Sequence, residues 1–219
     1  MKKVILSLFA LAAMGLSANA QQVVKFGPKA GVNIANLNGS EADTDMKIGF
    51  HVGAFAEIFF TDKFALQPEV VFSQQGAKAS GEFPYSGTFN GVQVDILLDG
   101  EQSTTLSYIN IPVMAKYYVI DNLAIEAGPY VGFLMKSEME IEGDYTVQGQ
   151  TMSFNETFDI KETMNSVDYG LGLGASYSMD NGFFGGARYN LGLSDIFKDD
   201  AGEDGIKNGV IQISVGYKF

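Results

Sequence analysis

From Val24 onward apolar and polar residues alternate with a period of two in eight separate stretches, and no helical period is sustained anywhere between them. The alternation predicts strands over residues 24–37, 47–60, 64–76, 106–119, 123–136, 167–179, 183–194 and 209–219. Three connections are tight turns, Thr61-Asp62-Lys63, Ile120-Asp121-Asn122 and Asp180-Asn181-Gly182, the last with an Asn-Gly pair of the hairpin type. The other four, near residues 38–46, 77–105, 137–166 and 195–208, are long. Strict alternation of short and long connections puts all the tight turns at one end, the plan of an eight-stranded, antiparallel, up-and-down transmembrane β-barrel. The fold class expected is therefore all-β.

The two faces of these strands differ in kind. One carries Ala30, Val32 and Ile34, Ile48, Val52 and Ala54, Leu66 and Val70, Ile109, Ile111 and Val113, Ile125, Leu171 and Leu173, with no charge at the strand centres. The other carries Lys29, Asn33, Glu57, Gln67, Glu69, Asn110, Lys116, Glu126, Arg188 and Asn190 among glycines such as Gly31, Gly53, Gly128 and Gly172. A soluble ligand-carrying barrel would need the apolar face inside. Charges and glycines fill a dry core badly, so this alternative is the weaker one. They suit a narrow barrel turned apolar side out.

The aromatic residues mark two levels on the apolar face. Phe26, Phe60, Phe64, Tyr117, Tyr177, Phe183, Tyr217 and Phe219 fall at the short-turn end, as a periplasmic girdle should, and Phe50, Phe72, Phe133, Tyr169 and Tyr189 form the opposite girdle. Ten residue steps separate Phe50 from Phe60, which at a tilt of about 40° covers roughly 25 Å, the height of an outer-membrane apolar band.

Composition narrows the class. The 219 residues are 46% hydrophobic and 18% charged, which excludes a disordered chain. Lys2 and Lys3, the apolar run VILSLFALAAMGL and Ala18-Asn19-Ala20 read as a signal peptide over residues 1–20, cleaved before a single domain at 21–219. Its run is short for a spanning helix, and no longer one follows. Without the two leader lysines, 12 basic residues face 26 acidic ones, a formal charge of −14 that makes nucleic acid an improbable partner. There is no cysteine, so packing and hydrogen bonding alone hold the fold.

Pro28, Pro68, Pro112 and Pro129 fall inside the expected strands, and a closed sheet offers no free edge for a missing N–H, which predicts bulges at all four. The stretches GFHVGAFAEIFFTDKFALQPEVVFSQQGAK (49–78), YINIPVMAKYYV (108–119), LAIEAGPYVGFLM (123–135), VDYGLGLGASY (167–177) and GARYNLGLSDI (186–196) resemble the PorT-like outer-membrane β-barrel family of Gram-negative bacteria. The resemblance covers nearly the whole chain after the leader and implies an eight-stranded barrel. It marks the prolines of LQPE, IPVMAKYY and AGPY as family features. Some members, like PorT, resemble parts of a protein-secretion system. The resemblance carries no catalytic motif and no cofactor.

Lys29, Glu57, Glu69, Lys116, Glu126 and Arg188 share the inward face at similar height, so three acids and three bases are expected to pair and plug the interior. The only histidine, His51, faces inward near the long-loop end. With Ser73 or Ser107 it would suit a lipid acyl-editing enzyme only if both groups came within hydrogen-bond reach. Asp199, Asp200, Glu203 and Asp204 lack the alternation and fixed glycine of a calcium loop and read as a solvated acidic loop. The connections at 77–105 and 137–166 contain the alternating pieces VQVDILL and YTVQGQTMSF, so strands extending past the bilayer would face an envelope partner.

The last stretch, VIQISVGYKF, is expected to close the barrel against the first strand, with Tyr217 and Phe219 serving as girdle and as the signal read by the barrel-assembly machinery. The expectation is an outer-membrane barrel, surrounded by lipid, with a structural or interaction role and no enzymatic activity. A secretion-system or envelope accessory subunit and an acyl-editing enzyme using His51 are the alternatives.

Overall fold

The structure, a computed structural model, describes residues 23–39, 44–89, 92–147, 150–198 and 205–219; for 82–89, 92–99, 145–147 and 150–152 it describes the backbone alone. The leader over residues 1–20 and the loop acids Asp199, Asp200, Glu203 and Asp204 lie outside the described residues.

Among the described residues there are nine strands: β1 (Val24–Asn38), β2 (Asp45–Phe59), β3 (Phe64–Phe89), β4 (Val92–Ile120), β5 (Leu123–Val147), β6 (Gln150–Asp159), β7 (Val167–Ser178), β8 (Phe183–Gly192) and β9 (Lys207–Tyr217). All pair antiparallel with their sequence neighbours, except that β5 is shared. Its lower half pairs with β7 and its upper half with β6. The β1–β9 and β4–β5 ladders close β1, β2, β3, β4, β5, β7, β8 and β9 into an eight-stranded ring, and β6 stands outside it. The closure expected of the last strand is made. Val32 faces Ile213 across β1–β9, and beyond the strand end the Phe219 N–H donates to the Phe26 carbonyl at 2.9 Å.

The strand ends expected at residues 76, 106 and 136 are corrected, and the extension beyond the ring expected from the alternating pieces is found. Residues 77–105 and 137–166 are largely strand: β3, β4 and β5 run 26, 29 and 25 residues, and β6 adds ten more. The alternating pieces in those segments form sheet because each finds a partner at its own hairpin. Above the girdle level at Phe72, β3 continues for about 55 Å along the strand.

The expected bulges at the prolines are also corrected. Register runs unbroken through each, and what is lost is local pairing on one side. The β2–β3 ladder skips from Phe55–Glu69 to Ile58–Leu66 at Pro68, and the β3–β4 ladder from Pro68–Val113 to Val71–Asn110 at Pro112. The β4–β5 ladder skips from Pro112–Tyr130 to Ala115–Ala127 at Pro129, and the β1–β9 ladder stops one residue short of Pro28. A proline removes one donor but keeps extended φ, so the strand gives up a rung without changing step.

The true register shifts lie elsewhere. Tyr108 faces Leu134, but Ser107 faces Lys136, so Met135 is an extra residue in β5. One inserted residue turns every later side chain to the opposite face. Below it Glu126, Tyr130 and Leu134 point inward; above it Ser137 does, and Glu138, Glu140 and Glu142 turn out. A second shift lies in β2 between Met46 and His51.

The exterior is apolar over the ring. Ile48, Val52, Ile125, Leu171, Leu173, Ile213 and Val215 are all exposed, Ile48 to 75%. At the short-turn end the Phe26 and Phe219 rings lie 5.7 Å apart, Phe60 and Phe64 6.0 Å, and Phe183 and Tyr217 5.1 Å, with Tyr117 and Tyr177 exposed at the same end. Phe50 and Phe72 pair at 5.6 Å toward the other end.

Candidate functional site

Inside the ring the expected charges meet. Arg188 on β8 donates through Nη2 and Nη1 to the two Glu69 oxygens on β3 at 2.6 and 3.2 Å, and through Nε to Glu126 on β5 at 2.7 Å. Lys29 on β1 reaches Glu69 at 2.9 Å, while Lys116 on β4 lies 3.6 Å from Glu126 and 3.5 Å from Glu57 on β2. Beyond them, Lys218 closes the row on Glu57 at 2.7 Å. The order is Lys29, Glu69, Arg188, Glu126, Lys116, Glu57, Lys218. Sign alternates at every step, so each carboxylate sits between two cations. Gln67 ties the row together, donating to Glu69 at 2.7 Å and accepting from Lys116 at 3.0 Å. Tyr118 donates to Glu57 at 2.5 Å and accepts from Lys218 at 3.0 Å. Charges this deeply buried persist only when paired and hydrogen-bonded, and Glu57 and Lys116 are 0% and 1% exposed.

Lys218 was not among the residues expected in this cluster, although it shares inward parity with Gln212, Ser214 and Gly216. The same parity carries Asp168, which stands in step with Gly170 and Gly172. Asp168 accepts from Ser194 at 2.6 Å, Asn208 at 3.1 Å and Tyr130 at 3.2 Å, a second polar knot among neutral donors.

His51 bonds neither Ser73 nor Ser107. Its Nε2 lies 2.8 Å from Ser214 Oγ on β9 and its Nδ1 2.8 Å from Asn33 Oδ1 on β1. An amide oxygen only accepts, so the ring proton sits on Nδ1, and Nε2 accepts from the serine hydroxyl. Asn33 is fixed in turn, its amide donating to Ser73 at 3.0 Å and its oxygen accepting from Gln212 at 3.1 Å. Serine, histidine and orienting amide thus stand in relay order. All three are buried, with His51 at 1%. Gly31 makes the room: an added Cβ would lie 1.9 Å from the Ile213 carbonyl and 2.6 Å from His51 Cε1.

The interior is capped at the long-loop end and opens into a cup at the other. Toward the long-loop end Leu37, Ala77, Leu106, Tyr108, Leu134, Met164 and Ile196 form a buried apolar cluster, with Ile160, Phe197 and Ile206 packed on it. The segment after β6 is clasped over the mouth by Asn165, whose amide donates to the carbonyls of Asp195 and Phe197 at 2.9 and 2.8 Å. At the short-turn end a cup of about 640 Å³, rimmed by Asp62, Asp121 and Asp180 of the three turns, is lined also by Tyr118 and Lys218 at the end of the charge row.

Above the ring, β3, β4, β5 and β6 form a four-stranded sheet. The Met135 insertion gives one face Glu138, Glu140, Glu142 and Asp144, with Glu101 and Lys78 beside them. Lys78 lies 2.5 Å from Glu101, whose hydrogen bond holds the ammonium above its ordinary pKa. Lys136 reaches Glu138 at 2.6 Å, and Lys47 donates to Ser103.

The sequence model of the outer membrane protein beta-barrel domain matches residues 19–198. The chain belongs to that family. Membership places this outer-membrane barrel in the envelope of Gram-negative bacteria and removes the soluble carrier, whose dry interior the buried charges also contradict. Among solved structures, the barrel is similar to Ail, the attachment invasion locus protein of Yersinia pestis, at 13% identity over 89% of this chain and 98% of that one, with a TM-score of 0.50. It is similar also to Neisserial surface protein A, at 14% identity over 89% and 97%, with a TM-score of 0.51. Likeness at these identities speaks for the fold alone. The comparison with curated proteins returned no match.

Proposed function

We propose that this outer-membrane barrel is a non-conducting structural element whose work is done above the membrane, where the β3–β6 sheet meets another component of the envelope. The observation that supports this is the contrast between the two halves of the molecule. The interior is filled by an alternating ion row and capped by the Leu106–Met164–Ile196 cluster, whereas three strands continue far beyond the ring as an exposed sheet. Eight strands leave an interior that side chains fill, so transport is the poorer use of this frame. The resemblance to PorT-like barrels supports a secretion or envelope-assembly partner. In this reading the leader over residues 1–20 carries the chain to export.

The Ser214–His51–Asn33 relay favours a second reading, acyl editing, but its chemistry needs a substrate carbonyl at Ser214. The buried relay inside a capped ring offers no such approach among the described residues.

A photo-crosslinking residue placed at Glu142 or Asn155 in cells tests the proposal. A discrete crosslinked envelope protein, absent when the same residue replaces lipid-facing Leu173, is the expected result. Equal, diffuse labelling from all three positions would remove the interaction role.

A further inference from the structure

The outer sheet ends in an open edge. Among the described residues β6 pairs with β5 alone, and β7, which takes the same side of β5 lower down, starts at the pairing of Val167 with Phe133. Proteins normally blunt such an edge with proline, lysine, a bulge or a very short strand. Here ten residues, QTMSFNETFD, run without proline or lysine and in unbroken register from Val147–Gln150 to Glu138–Asp159.

The two faces beside this edge differ. On one, register sets Glu101 opposite Glu142 and Glu138 opposite Asp159, like charges in directly facing positions. Such pairs weaken a sheet. Glu140, Glu142, Asp144 and Asp159 are exposed there, and Lys78 and Lys136 are each engaged by a glutamate of their own. On the other face lie Met139, Ile141 and Phe158, with Phe158 38% exposed and one exposed carboxylate, Glu156, opposite Ile141. A strand laid along β6 would set its alternate residues against an acidic surface on one side and, on the other, a mainly apolar one broken by Glu156.

We propose that the edge of β6 is a strand-addition site for an extended polypeptide segment that alternates lysine or arginine with apolar residues. The proposal rests on the reading of the outer sheet as an interaction surface and names the partner's chemistry. Main-chain hydrogen bonds to β6 supply the register, and the basic side chains neutralise the facing carboxylates that the sheet otherwise leaves in opposition. A second copy of this chain is the wrong occupant. Two β6 edges would bring Glu156, Asp159 and their acidic neighbours against the same charges.

The probe is a ten-residue peptide alternating lysine with valine or isoleucine, titrated onto the full chain in zwitterionic nanodiscs with empty discs as the blank. An analogue with methylated backbone nitrogens keeps the charges but cannot join a sheet. The parent peptide should bind and the analogue should bind at least about tenfold more weakly; the exposed double variant E140K/E142K should lose about tenfold as well. Equal binding of both peptides would reduce the site to ionic adsorption and overturn strand addition, as would failure of the parent peptide to bind. Self-association of the peptide-free barrel, strengthened by E140K/E142K, would give the edge to a second copy and overturn the assignment too. Crosslinking from Glu142 with no peptide binding would leave the interaction role standing and remove only this mode.

Discussion

Arg188 and Glu69, 119 residues apart in sequence, meet inside the ring through two hydrogen bonds of 2.6 and 3.2 Å, and the third guanidinium nitrogen engages Glu126 at 2.7 Å. One side chain on β8 thereby ties β3 to β5 across the barrel lumen. Replacing it with alanine would leave two buried carboxylates short of a cation.

Arg188→Ala should therefore destabilise the folded barrel by about 3–5 kcal/mol. The readout is the urea midpoint of the refolded protein in lipid, followed by the gel shift between boiled and unboiled samples. A midpoint equal to the parent's would mean that the ion row carries no weight.

Lys218 and Glu57 should behave as a coupled pair. Each single change, Lys218→Ala or Glu57→Gln, destabilises, and the double variant should cost less than their sum, with a coupling of about 0.5–3 kcal/mol. Simple additivity in the double-mutant cycle would place the 2.7 Å contact outside the energetics.

Much of this is legible in the sequence. A two-residue period with charge on one parity and aromatic residues at two levels of the other is enough to specify an inside-out barrel, and parity alone put Glu57, Glu69, Lys116, Glu126 and Arg188 in one lumen. Parity was also where legibility failed. The Met135 insertion flips Glu138, Glu140 and Glu142 to the outer face, and nothing in KSEMEIEG announces a one-residue step, because a bulge is settled by the partner strand. Leu106, Leu134 and Met164 read as ordinary apolar positions until Ile196 and Phe197 are seen folded over them. The prolines mislead in the other direction, because each costs a rung and leaves the register intact.

Those lost rungs should show in hydrogen exchange. Amides of the residues facing Pro68, Pro112 and Pro129 across the interrupted ladders, Ala56, Glu69 and Val113, should exchange before those of the continuous β8–β9 ladder. Uniform protection across all eight ring strands would contradict the interrupted pairing.

Gly31→Ala tests the close approach at His51. The new methyl meets a backbone carbonyl that cannot move without breaking the β1–β9 ladder, so a loss of about 1–3 kcal/mol is expected in the urea midpoint. His51→Gln, in contrast, should leave the acyl chains of lipid A and phospholipids unchanged by mass spectrometry. A changed acyl profile would restore the editing reading.

The sealed interior is the central claim, and single-channel recording addresses it most directly. Folded protein reconstituted in a planar bilayer, its fold verified by heat-modifiable migration, should give no stepwise current at voltages the bilayer itself withstands. Steady unitary conductance from that material would show an open path past Arg188 and the Leu106–Met164–Ile196 cap, and would contradict the account.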